Sequence, residues 1–224
     1  MSALIAGAVA AGPSIAVADG GGDDENEGRT YSVTITNLTR GQVVTPPLVI
    51  VHSRAFTLFT PGAAASEGLA TLAETGNPGP LAADVELAEG VAAVAVGDVL
   101  PPGQSITMTI TSARGAKFLS LAAMLATTND AFASLRAVRL PKRGRARSVR
   151  ALAYDAGSEA NNESCDFIPG PPCNGTNERD TAGAEGFIHV HAGVHGVADL
   201  VPADQDWRNP VLSVVIERRH SDDD

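Results

Sequence analysis

The sequence predicts an all-β protein, an antiparallel β-sandwich with one or two short helices in its connections. Three observations carry that expectation. The chain has 23 glycines and 14 prolines in 224 residues, with only 4% aromatic residues, a composition suited to many short strands joined by turns. Two segments, Tyr31–Leu38 and Ser105–Thr111, alternate apolar and hydroxyl side chains with a period of two, as a strand with one buried face does. Other apolar runs are short and end in Gly, Pro, Asn or Asp.

In chain order, Leu4–Val17 is apolar and small, and Ala16-Val17-Ala18 precedes Asp19 as an export cleavage site would, although no basic residues precede the apolar run. Residues 1–18 are therefore expected to be a signal peptide and the product secreted, extracellular or periplasmic. Residues 19–29 are Gly-rich and acidic, a linker with nothing to bury. After the strand at Tyr31–Leu38, Pro46-Pro47 breaks the chain. Leu48–His52 then resumes extended and apolar on both faces, which suits a central strand. Ser66 is placed to cap a short helix bearing Leu69, Leu72 and Ala73, ended by the Gly76–Pro80 stretch, and Leu81–Glu89 is a second short helix. Val91–Val96 and Ser105–Thr111 return to strand. Lys117–Leu125 fits either strand or helix by periodicity, and its alternating neighbour with the Thr127–Asp130 corner decides for strand. Asn209–Glu217 is the closing strand, and residues 220–224 form an acidic tail.

Composition also excludes. A hydrophobic fraction of 44% rules out wholesale disorder, and a net charge of −10 argues against a general nucleic-acid binder. No stretch after the first 18 residues is long and apolar enough for a membrane span. No nucleophile and general base are spaced in a recognisable pattern, so the protein is read as non-enzymatic.

Two acidic corners, Asn129-Asp130 and Asp155, each follow a run that reads as a buried strand, where a scaffold can present oxygen ligands to a hard cation. Asn-Asp and Asp-Ala-Gly are also ordinary turn formers. His189, His191 and His195 lie within seven residues, the first two at the i, i+2 spacing of one strand face. That face can hold zinc or copper, with Asp199 or another acid completing the set, or the imidazoles can be hydrogen-bonding surface groups. Cys165 and Cys173, eight apart around a Pro/Gly loop, are most simply a disulfide. Arg136, Arg139, Lys142, Arg143, Arg145, Arg147 and Arg150 concentrate positive charge on an acidic chain. They suit a polyanion such as a sulfated or uronic polysaccharide, or anionic lipid, and their ordinary reading is a solvated loop. Trp207 is expected to cover the sandwich edge.

The order His52-Ser53, Ala65-Ser66-Glu67-Gly68-Leu69, Phe118-Leu119-Ser120 leading to Asn129-Asp130-Ala131-Phe132, Tyr154-Asp155-Ala156-Gly157-Ser158 and Val214–Arg218 resembles the spondin N-terminal domain across residues 30–219. The resemblance implies a C2-like sandwich acting outside the cell in adhesion or matrix contact, with calcium bound at one edge. Its acidic ligands fall on Asp130 and Asp155. The third acidic position falls near Thr111, where no carboxylate occurs, and Asn129, Thr111 or Glu159 would complete the site. Fewer charges imply weak calcium affinity. The partner implied is an extracellular protein, glycan or cell-surface component.

Overall fold

The computed structural model describes residues 28–176 and 178–219. The expected signal peptide and the acidic tail lie outside them, as does the linker up to residue 27. Among the described residues nine strands form: β1 (Arg29–Asn37), β2 (Leu48–His52), β3 (Val91–Val96), β4 (Ser105–Ser112), β5 (Phe118–Met124), β6 (Ala131–Arg139), β7 (Ala146–Asp155), β8 (His189–Val190) and β9 (Leu212–Arg218). Three short helices interrupt them: α1 (Glu67–Thr75), α2 (Gly79–Glu86) and α3 (Pro202–Gln205). Arg29, the last residue of the expected linker, already belongs to β1.

Every strand pairing is antiparallel, in the order β3-β2-β5-β6-β7-β9-β1-β4, with β8 added to β7. The turning point is β7. Its first half, Ala146–Ala151, pairs with β9, and its second half from Leu152 to Asp155 pairs with β6. The chain thus passes from one layer into the other within a single strand, and β3 and β4 at the two ends of the order approach each other. Between the layers lie Val33 and Ile35 of β1, Val49 and Val51 of β2, Leu119 and Leu121 of β5, and Val214 and Ile216 of β9, all fully buried. The alternation of β1 follows directly, its hydroxyl residues facing outward.

The β2–β5–β6 layer is covered on its other face too. Leu48, Ile50, Ala122 and Phe132 pack there against Leu69, Leu72 and Ala73 of α1 and Leu81 of α2. Burial on both faces is why β2 and β5 are apolar apart from His52 and Ser120, and why β5 lacks alternation. The helix α1 starts where Ser66 Oγ accepts the Leu69 N–H at 3.3 Å, and Gly76 ends it at φ 70°, donating to Leu72 O. Pro80 sits in the first turn of α2, where its missing N–H costs nothing, so α2 begins before Leu81. His52 is a satisfied core group. Its Nδ1 meets Ser53 O and its Nε2 meets Ser120 Oγ at 2.9 Å, beside the bulge of β5. Among the described residues no helix is long and apolar enough to cross a membrane.

Candidate metal centre

At one end of the sandwich, the end of β7 meets the start of β6 and the two-residue strand β8. Ala131 pairs with Asp155, and Asp155 pairs with His189. The corner is built from a local turn. Asp155 Oδ1 accepts the Gly157 N–H at 2.7 Å, the ordinary Asx arrangement. Gly157 adopts φ 67°, and a Cβ there would lie 2.4 Å from Phe187 O. Only glycine lets the Phe187 backbone lie this close. That approach, fixed by the Gly186 N–H donating to Gly157 O, delivers Glu185 and His189 beside Asp155. One ligand atom from each of Asp155, Glu185 and His189 lies within 4.8 Å of the other two, with Asp155 buried, His189 half-buried and Glu185 exposed. The solvent side of Glu185 leaves an approach for an ion.

Asp130 stands behind this group. Its Oδ2 accepts the N–H groups of Ser158 at 2.8 Å and Glu159 at 3.0 Å, whereas its Oδ1 is fully buried and has no hydrogen-bond partner. Burial, then the charges of Asp155 and Glu185, push the Asp130 carboxyl up to about 7. Burial also raises Asp155. Glu159, buried with Oε2 unpartnered, is pushed up to about 8, chiefly by burial. Asp130 lies in the field of Asp155 and Glu185, and Glu159 in that of Glu74 and Asp130, and buried carboxyls crowded in this way are the electrostatic state that a divalent ion relieves.

The histidines play different parts. His189 Nδ1 lies 3.2 Å from Val190 O, and in the neutral ring donation there leaves Nε2, 3.9 Å from Asp155 Oδ1, unprotonated and able to bind an ion placed between them. That is the tautomer of a metal-ligating imidazole whose second nitrogen is anchored on a carbonyl. His191 is reversed. The Gly193 N–H donates to its Nδ1 at 2.9 Å, so the proton sits on Nε2 and is given to Asn161 Oδ1 at 3.1 Å. The Asn161 amide in turn donates to Asp155 Oδ2 at 2.6 Å and Glu185 Oε1 at 3.1 Å. Burial, with the neighbouring His189 and His195, lowers His191 to about 4 and keeps it neutral. His191 therefore positions the two carboxylates through Asn161.

Of the residues the sequence points to, the fold brings Asp130, Asp155, His189 and His191 to one corner. Asn129 braces the following loop, its Oδ1 accepting the Glu163 N–H and its amide donating to Asn162. Thr111 is exposed on edge strand β4, opposite Thr30, and is not brought to the corner. The His195 side chain is exposed, and its backbone N–H donates to Glu163. Asp199 accepts the Cys165 N–H instead of joining the histidines. Cys165 and Cys173 are disulfide-bonded. Trp207 is buried with its ring 5.1 Å from that of His191. Arg139, Lys142, Arg143, Arg145 and Arg147 are exposed, on strand ends and a turn at the opposite end of the sandwich. Sequence reasoning missed Glu185 and Asn161. Both occupy polar loop sequence whose only signal is proximity to Asp155 and His189 along the chain. No family model matches this sequence, and no curated protein matches it.

Proposed function

We propose that this chain is a secreted, non-enzymatic metal-binding module for adhesion or surface contact, of the spondin N-terminal type, whose ion ties the β6–β7 corner to the β8 segment. The observation that carries the reading is the buried Asp130 carboxylate, with Oδ1 unpartnered, behind a converging Asp155, Glu185 and His189. The antiparallel sandwich and the disulfide are compatible with an exported module. The ion's part is structural: it neutralises the carboxyls and fixes the turn at Gly157 against Glu185 and β8, and this corner is the proposed contact surface.

Calcium suits the carboxylates of Asp155 and Glu185, with that of Asp130 behind them, and the solvent-accessible side. His189 Nε2 supports a second reading, in which a first-row ion such as Mn²⁺ or Zn²⁺ is the occupant, because imidazole is a poor calcium ligand and a good one for these ions. Thermal unfolding in chelator, then with calcium, manganese or zinc, tests both. An ion at a hundredfold excess over its Kd adds about 2.7 kcal/mol. The expected result is a rise in Tm that Asp155→Asn removes. His189→Ala should abolish the response to manganese and zinc while sparing calcium if oxygen ligands suffice. No rise with any of the three ions sinks the metal reading.

A further inference from the structure

We propose that the end of the sandwich opposite the metal corner is a docking surface for a sulfated polysaccharide. Along the chain, the basic residues from 136 to 150 form one charge run, and such a run is ordinarily a solvated loop. The fold adds to it from elsewhere. The registers Arg29↔Ser112, Tyr31↔Arg218 and Phe118↔Arg139, with the Leu140 N–H donating to Lys117 O, place the start of β1, the end of β9 and the turns before β5 and β7 at the same end. Arg29, Lys117, Arg139, Arg145 and Arg218 thus gather from segments that the sequence keeps far apart. Among the described residues, Asp130, Asp155, Glu159 and Glu185 lie at the other end and Glu217 lines the basic one. In the sequence the acidic runs 23–27 and 222–224 adjoin Arg29 and Arg218–Arg219, so the positive pole is a local one on a chain of net charge −10.

The pole is recessed and rich in donors. One cavity of about 280 Å³ is lined by Arg29 and the Ser112–Lys117 turn. A broader one of about 750 Å³ is lined by Arg145 and Arg218 together with the hydroxyl groups of Ser32, Thr107 and Thr109, and by Glu217 as its one carboxylate. Both border the β1–β4 pair, so a linear polymer following that pair meets guanidinium groups at both recesses. Arginine predominates over lysine, and its planar fork matches the paired oxygens of a sulfate. None of the exposed large apolar side chains belongs to these segments. The pole therefore lacks the apolar anchors of a membrane-inserting surface and the stacking platforms of a single-stranded nucleic-acid binder.

The test is titration of the full chain with heparin, run in parallel with anionic phosphatidylserine vesicles and a single-stranded oligonucleotide. Heparin should bind at about 50 mM NaCl and weaken as salt rises, because released counterions drive the association. Arg145→Glu/Arg218→Glu should weaken it about tenfold and flatten the salt dependence by about 1–2 in slope. Arg29→Glu/Lys117→Glu, in the smaller recess, should act likewise, so the outcome does not hang on one variant folding. Arg40→Glu, at the acidic end, should leave binding unchanged. Chelator should leave it unchanged too, which separates this surface from the metal reading. Absence of heparin binding, equal loss in Arg40→Glu, or tighter binding to vesicles or oligonucleotide would overturn the proposal.

Discussion

Replacing Asp130 with asparagine should stabilise the metal-free protein at alkaline pH and at the same time weaken its response to metal. The side chain is fully buried, and its folded-state carboxyl is raised from 3.8 to about 7, with burial as the largest cause. A folded-state value above the unfolded one means that the protonated group's stability is fully present below about pH 4 and is lost as pH rises through about 7. The shift caps the loss on the order of 4 kcal/mol. Loop relaxation around Ser158 and Glu159 trims it, and about 2 kcal/mol is expected in practice. Asparagine keeps the Oδ1 acceptor for the Ser158 and Glu159 N–H groups. It also places an N–H₂ where the unpartnered oxygen stood, facing the field of Asp155 and Glu185. In chelator at pH 8, Asp130→Asn should melt about 4–8 °C above the wild type. At pH 4 the two should coincide, because the wild-type carboxyl is then protonated. With saturating divalent ion at pH 8 the wild type should gain more than the variant and the order should reverse, since the Asp130 carboxylate adds its own attraction to the cation. The assay is thermal unfolding followed by circular dichroism at both pH values. A variant less stable than wild type in chelator at pH 8 would refute the reasoning, for it would mean that Asp130 is already neutralised by groups within the protein.

Three further outcomes follow from the same geometry. Gly157→Ala places a Cβ against the Phe187 backbone at a positive φ, and should both destabilise the chain and abolish metal-induced stabilisation, read as loss of the Tm response. Phe132→Ala empties a fully buried site against Phe59, Tyr154 and α1, and should cost about 3–5 kcal/mol in denaturant unfolding. Cys165→Ser/Cys173→Ser reopens a loop with a sequence separation of 8 and should cost about 2.5 kcal/mol, visible as an earlier unfolding midpoint.

The parts of the fold legible in the sequence are those where burial is one-sided or complete. In β1 the hydroxyl residues face outward and the apolar ones inward, so period two appears on the page. In β2, burial on both faces leaves an uninterrupted apolar run, read as central for that reason. The same double burial made β5 ambiguous, because complete burial erases periodicity and leaves only the flanking turns to decide. The α1 helix announced itself through Ser66 and Gly76, each with one local task. α3, four residues without a side-chain cap, left no comparable signal.

The metal corner was legible residue by residue and illegible as an assembly. Asp155 and the histidines lie more than thirty positions apart and read as two separate metal ideas, an oxygen site and an imidazole strand. What joins them is β8, a strand of two residues that no propensity can reveal, held against β7 because Gly157 lacks a Cβ. Once joined, the i, i+2 spacing of His189 and His191 acquires a meaning the sequence did not give it. Both rings face Asp155, yet backbone partners fix opposite tautomers, one presenting a lone pair and the other a proton. Under the proposed metal reading, the division of labour between ligand and positioning group follows from which neighbouring N–H or C=O each ring meets. Swapping the two roles would require changing both backbone partners, the Gly193 N–H at His191 and the Val190 C=O at His189, and neither histidine itself.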